Sequence, residues 1–161
     1  MSMRLWRIAA DTPDWQAHDL SGKGAEISGG RWNRKGRPVV YSASTIALAA
    51  LETTVHLNTD DLPLNRFVVC IEVPPDLWAA RVVWDAAGLP VGWTARPEGK
   101  VSLDIGDAWL VGGASALLAV PSVIVPEEHN LLINPRHPDA ARLRAVKVRP
   151  WFFDARGRSS R

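Results

Sequence analysis

The sequence predicts an α+β fold: a single domain built on a twisted, mostly antiparallel sheet with a few helices. Three observations point there. Short apolar runs recur at irregular spacing, without the regular strand and helix alternation that builds a parallel sheet. One Ala- and Leu-rich segment is long enough for a clear helix. A chain of 161 residues, 47% of them hydrophobic, has material for one well-buried core and too little for two ordinary domains.

The elements follow in order. Arg4 to Ile8 alternates polar and apolar residues, as an opening half-buried strand does. Asp11 to Gly30 is polar and glycine-rich and reads as a long loop. Arg31-Trp32-Asn33 is read as a strand, joined through Arg34 to Arg37 to a second strand behind Pro38, over Val39-Val40-Tyr41-Ser42. That strand feeds a helix over Ser44 to Leu57, with Ser42 or Ser44 available as N-cap. At about 100° per residue Leu48, Leu51 and Val55 form its apolar stripe, with Glu52 at the edge. Asp60 to Pro63 is a turn, and Arg66 to Val73 is a strong strand ended by Pro74-Pro75.

Leu77 to Trp84 fits a short helical turn or a strand equally well, and Leu89 to Gly99, with two prolines and two glycines, is irregular. Asp104 to Val111 is a second helix stopped by Gly112-Gly113. Leu117 to Val120, Ser122 to Val125 and Leu131 to Ile133 read as strands. His137 to Leu143 makes a brief helix, and Val146 to Phe153 closes the sheet. The domain is expected over residues 1–154, with residues 155–161 a polar, basic and mobile tail.

Composition excludes several function classes. The net charge is +2 at a pI near 9.0, so no overall basic excess drives nucleic-acid binding. Basic residues gather only around Arg31 to Arg37 and Arg136 to Arg149, which suits a phosphate-bearing small molecule as well as a polyanion. The single cysteine, Cys70, lies in an apolar strand and forms no internal disulfide. Four scattered histidines and that one cysteine lack metal-ligand spacing, so no metal is expected. No Gly-x-Ser-x-Gly elbow and no Gly-x-Gly-x-x-Gly motif is present, against a serine hydrolase and against Rossmann-type binding. No apolar stretch reaches 18 residues and no signal-peptide core opens the chain, so a cytoplasmic location away from membranes is expected.

The candidate site centres on Glu52. A carboxylate beside a core is costly unless a cation or donor meets it, and Arg31 and Tyr41 lie just upstream. Alone, Glu52 would be an edge carboxylate paired with a surface arginine; Arg31 and Tyr41 on the preceding strands favour a catalytic role. Gly29-Gly30 leave room for a ligand to approach the backbone at Arg31. Ser122 after Pro121 is physically the weakest member, since serine after proline is common in turns. Asn33 and Asn134 read first as turn residues, with Asn33 also a candidate contact to a bound nucleotide.

These residues carry a resemblance. Gly-Gly-Arg31-Trp32-Asn33, Gly-Arg-Pro-Val-Val-Tyr41-Ser42, Ala49-Ala50-Leu51-Glu52 with His56, and Val120-Pro121-Ser122 through Asn130-Leu-Leu-Ile-Asn134-Pro135 resemble the RES-domain family. That family is named for an arginine, a glutamate and a serine, matched here by Arg31, Glu52 and Ser122. The similarity runs from about Leu5 to about Phe153. It implies the toxin of a RES-Xre toxin-antitoxin pair, a fold like the ADP-ribosyltransferases, NAD as substrate, an Xre-like antitoxin as partner and a homodimer within the complex, with nucleic acid met only through the antitoxin. In ADP-ribosyltransferases of the diphtheria-toxin type the first of three such positions is a histidine; here Arg31 stands there.

The chemistry so implied is cleavage of the bond between nicotinamide and ribose. Glu52 would stabilise the positive charge that builds on the sugar, Arg31 would hold phosphate or ribose oxygens, and the Tyr41 ring would stack on nicotinamide. Water, phosphate or a protein side chain could accept the ADP-ribose; depletion of NAD through water or phosphate is the preferred expectation, with protein ADP-ribosylation the alternative. An inert nucleotide- or protein-binding module and a ribonuclease are the competitors from other classes; intact Arg31, Glu52 and Ser122 argue against the first, and the lack of interleaved exposed aromatics argues against the second. Eight tryptophans and the apolar stretch from Trp109 to Val120 exceed the visible needs of the core, so part of that surface is expected to form an interface.

Overall fold

A computed structural model describes residues 2–55 and 65–152. Seven strands form one sheet: β1 (Met3–Ala10), β2 (Val40–Ala43), β3 (Arg66–Val73), β4 (Val82–Val83), β5 (Leu117–Pro121), β6 (His129–Ile133) and β7 (Arg144–Pro150). Their order across the sheet is β4-β5-β6-β2-β1-β3-β7, and every pairing but the parallel β4–β5 pair is antiparallel. Among the described residues four α-helices accompany it, α1 (Lys23–Ser28), α2 (Ile46–Val55), α3 (Pro75–Ala79) and α4 (Lys100–Gly112). The α+β class and the mostly antiparallel sheet are as the sequence predicts.

Both faces of the sheet are covered, because its central strands alternate two sets of apolar side chains. On one face Leu5, Val40, Val69, Ile71, Leu117, Ala119, Leu131 and Ile133 pack with Ala17, Leu77 and Leu143. The opposite face carries two separate clusters. Val39, Leu118, Val120 and Leu132 meet Trp32, Leu89, Trp93 and Trp109, while Ile8 and Ala43 meet Leu48 and Ala49 of α2. The candidate site lies where these two clusters adjoin, over the row formed by Ala43, Asn130 and Val120.

Several local expectations change. Residues 31–33 form a tight loop closed by a bridge between Gly30 and Asn33, and not a strand, so Arg31 and Tyr41 do not sit on neighbouring strands. Two glycines hold that loop. A Cβ at Gly30 would meet the Tyr41 hydroxyl at 2.7 Å, and one at Gly106 of α4 would meet the Trp32 carbonyl oxygen at 1.7 Å. Packing this close overrides the strand propensity of a three-residue segment. Within the expected loop from Asp11 to Gly30, Lys23–Ser28 closes into α1.

α2 is capped by Thr45, whose hydroxyl accepts the Leu48 N–H at 3.1 Å, and not by Ser42 or Ser44. Its inward face is Leu48 and Ala49, one turn before Glu52 and Thr53; Leu51 and Val55 are 37% and 47% exposed. The apolar stripe is thus rotated from the expected one, and Glu52 lies on the inward face. His56, Leu57 and the turn at Asp60 to Pro63 lie outside the described residues, as do Phe153 and the expected tail.

Leu77 to Trp84 resolves into both alternatives, since α3 covers its start and β4 its end. Ser122 to Val125 is a turn and not a strand, whereas the brief helix expected over His137 to Leu143 is present as a 3-10 helix over Pro138–Arg142. Of the stretch from Trp109 to Val120 expected to supply an interface, residues 111–114 are exposed, with Val111 at 68%, and the rest is largely buried. Trp109 is buried with its indole N–H donating to Ser115 Oγ at 3.0 Å, and residues 115–120 are all buried. All eight tryptophans are buried or half-buried, so the aromatic surplus went into the cluster under α4 and into half-buried seams around the sheet.

Candidate active site

Glu52 is half-buried on the inward side of α2 and reaches across to the ends of β5 and β6. Its Oε1 accepts two hydrogen bonds, one from the Ser122 hydroxyl at 2.6 Å and one from the Asn130 side-chain amide at 2.9 Å. Ser122 is fully buried, directly after β5. Its oxygen accepts the backbone N–H groups of Ile124 and Val125, each at 3.1 Å. A hydroxyl has two acceptor sites and one proton, so with both acceptor sites filled the proton points at Glu52. The turn after β5 therefore makes Ser122 a fixed donor, and Glu52 must present an acceptor oxygen to it. Charge-assisted bonds of this length are among the stronger ones.

Asn130 is the member of this group that sequence reasoning missed. It was visible as an asparagine beginning an otherwise apolar strand, a residue type depleted from strand interiors. Its face was not visible. Register with Ala43 and Val120 turns Asn130 toward the α2 side of the sheet, one row from Leu132 and its partner Tyr41. The Asn130 carbonyl oxygen is buried and without a hydrogen-bond partner among the described residues.

Tyr41 lies on β2, half-buried against the tryptophan-rich cluster. Its hydroxyl donates to Asn33 Oδ1 at 2.6 Å and accepts the Trp32 backbone N–H at 3.1 Å. Burial, as the largest cause, pushes the phenol well above its ordinary range and keeps it neutral. Asn33 is fully buried; its amide nitrogen donates to the carbonyls of Ala25 and Arg37, each at 2.9 Å. Asn33 thus ties the phenol to α1 on one side and to the far end of the 31–37 loop on the other.

Arg31 is half-buried at the tip of that loop. Its Nη1 donates to the carbonyl oxygens of Trp93 at 3.0 Å and Ala95 at 2.9 Å. The irregular segment after Leu89 therefore fixes this guanidinium, and Trp93 stacks on Trp32 at 6.4 Å. Burial lowers the Arg31 pKa from its ordinary value, opposed first by the charge of Glu98 and also by that of Glu52, while Arg96 adds to the lowering. Arg31 and Glu52 thus lie within electrostatic reach of each other. The loop is anchored below by Asp107 of α4, nine-tenths buried, which accepts the Arg34 N–H at 3.1 Å and pairs with the Arg34 guanidinium at 2.7 Å.

The fold brings Arg31, Tyr41, Glu52 and Ser122 to one face of the sheet, with Asn33 buried beneath the loop. Asn134 is elsewhere: its amide donates to Leu110 O at 3.1 Å, beside a hollow of about 350 Å³ lined by Arg37, Arg136 and His137 that none of the Glu52 group enters. Among the described residues no group of three or more His, Cys, Asp or Glu could hold a metal, and no helix is long and apolar enough to cross a membrane.

Comparison with known proteins matches the chain to a family. The RES domain model matches residues 4–155. A protein of Sphingobium sp. (strain YBL2) named "Prs ADP-ribosylating toxin" is 56% identical over 156 residues, 97% of each chain. Proteins named "Toxin Res" from Yersinia enterocolitica and Pseudomonas putida are each 38% identical over 156 residues, 96% of this chain and 99% of theirs. A family model spanning nearly the whole chain, and relatives this similar over nearly their full lengths, show that the chain belongs to the RES domain family.

Proposed function

We propose that this protein is a toxin that uses NAD, breaking the bond between nicotinamide and ribose. The observation that carries the reading is the Glu52 carboxylate, aimed by Ser122 and Asn130 within electrostatic reach of the Arg31 guanidinium. In the reaction the C1'–N bond breaks, its electron pair leaves with nicotinamide, and positive charge appears on the ribose. The acceptor then adds a lone pair to C1' and loses a proton. A fixed carboxylate beside that carbon lowers the barrier because its dipoles need no rearrangement as the charge develops. Arg31 would meet phosphate or ribose oxygens with the donors its two carbonyl contacts leave over. Tyr41, neutral and held by Asn33, would offer its ring to nicotinamide, with Asn33 acting through Tyr41 and the loop.

The acceptor decides between hydrolysis, phosphorolysis and protein modification. Depletion of NAD is one outcome open to this chemistry, yet no residue of the chain carries a preference for it. The 56% identical relative bears the name of an ADP-ribosylating toxin and names Prs, which favours transfer to a protein side chain. The test is to incubate the protein with NAD labelled in the adenosine half, alone, with phosphate, and with Prs. Free nicotinamide with label on Prs supports transfer; nicotinamide in the absence of protein acceptor supports depletion. No nicotinamide in any arm would overturn the proposal.

A toxin of this kind would act inside its own cell, in the cytoplasm, and would need a neutralising partner. The relatives named Toxin Res support an antitoxin, and an Xre-like protein bound to a toxin homodimer is the form the family resemblance implies. Light scattering on the protein alone and co-expressed with that partner checks it: a strict monomer whose NAD cleavage the partner leaves unchanged would refute it.

A further inference from the structure

We propose that Asn130 is a positioning residue for Glu52, a role that rests on the reading of Glu52 as the group that stabilises the sugar cation. Two donors from different parts of the chain meet the same oxygen, Ser122 Oγ at 2.6 Å from the turn after β5 and Asn130 Nδ2 at 2.9 Å from β6. One donor leaves a carboxylate able to turn about the bond to its carboxyl carbon. A second donor at a fixed angle to the first removes that freedom, because both bonds keep good geometry in only one orientation.

The state of the Asn130 carbonyl shows which partner dictates its orientation. That oxygen is buried and finds no donor among the described residues, a costly arrangement for a buried acceptor. Rotating the amide by half a turn would move the oxygen, but would set it against the Glu52 carboxylate and withdraw the NH2. The side chain is thus held in an orientation that serves Glu52 at the expense of its own carbonyl. A residue kept only for packing at this row, between Ala43 and Val120, would be apolar like both of its cross-strand partners.

Stability and activity are therefore expected to separate. Asn130→Leu keeps the branching at Cγ in a somewhat larger side chain at a half-buried position, removes the orphaned carbonyl and removes the donor to Glu52, so the two changes in hydrogen bonding oppose each other in the fold. Only one of them matters to the carboxylate. The expected result is a melting temperature within about 3 °C of wild type, kcat for nicotinamide release reduced about tenfold to a hundredfold, and KM for NAD changed less than about threefold. Asn130→Ala should show the same split in kcat and KM. A structural role predicts the reverse pattern, with Leu restoring what Ala loses. An Asn130→Leu or Asn130→Ala protein with wild-type kcat, or with the loss carried by KM, would overturn the positioning role while leaving the reading of Glu52 intact. A wild type that releases no nicotinamide would remove that reading, and this proposal with it.

Discussion

The carbonyl oxygen of Trp32 occupies the space where a side chain at Gly106 would begin, 1.7 Å from an ideal Cβ. Through this contact α4 sets the height of the loop that carries Arg31. Gly106→Ala would gain about 1 kcal/mol of helix propensity and lose more, because backbone on both sides leaves nothing that can give way. A net destabilisation of about 1–3 kcal/mol is expected, together with a raised KM for NAD as Arg31 shifts. Thermal unfolding and initial rates check both; a more stable Gly106→Ala would mean that the loop does not rest on α4.

Glu52→Gln keeps size and removes charge. Loss of one aimed charge costs about 3 kcal/mol of transition-state stabilisation, roughly a hundredfold in rate. The folded protein should persist, since Ser122 and Asn130 can both donate to the amide oxygen. Nicotinamide release at wild-type rate would make the carboxylate structural.

Arg31→Lys should behave like Arg31→Ala. The Nη1 group reaches two carbonyl oxygens, of Trp93 and Ala95, while the rest of the fork faces elsewhere. A lysine ammonium on its flexible stem cannot hold both carbonyls and still offer a planar face to an anion. Weaker NAD binding with slower turnover is expected in both variants, read from kcat and KM separately. Full activity in Arg31→Lys would reduce the role of Arg31 to that of a point charge.

Tyr41 links stability to alkaline pH. Its phenol has an ordinary pKa of 10.0 and is raised in the fold by burial. Above about pH 10 the unfolded chain releases this proton and the folded chain keeps it, so the folded state binds more protons and its stability falls as pH rises. Below pH 10 the contribution is fully present. Tyr41→Phe lacks this contribution, so the stability difference between wild type and Tyr41→Phe should move against wild type above pH 10, by at most about 1.4 kcal/mol per pH unit. Denaturant midpoints at pH 8, 10 and 11 measure it; a constant difference across that range would refute the burial of the phenol.

Much of the candidate site could be proposed along the chain, because Glu52 and Arg31 stand out locally. Glu52 is a charge in an apolar helix, Arg31 follows two glycines, and β3 over Arg66–Val73 is bounded by its own prolines. Elements of this kind rest on periodicity and on Pro and Gly, which act within a few residues. The strand reading of residues 31–33 failed for the opposite reason: its outcome depends on Gly106 and Asp107, more than seventy residues away. The rotated stripe of α2 is a similar case, since Leu51 and Val55 look as apolar as Leu48 until the sheet decides which side is inward.

The sequence by itself determined the class of fold and most of the strands, and it singled out Glu52 as a charge out of place with Arg31 and Tyr41 just upstream as candidates; Ser122 entered through the family resemblance, since its local setting after Pro121 reads as an ordinary turn. Only the tertiary structure decided their geometry: that Ser122 donates to Glu52, that Asn130 joins it, that Asn33 holds the Tyr41 phenol, and that Trp93 and Ala95 fix Arg31. Each of these contacts depends on strand register or on a close approach between distant backbones. Register decides which face a side chain takes, and a shift of one residue would turn Asn130 away from Glu52 and onto the opposite core.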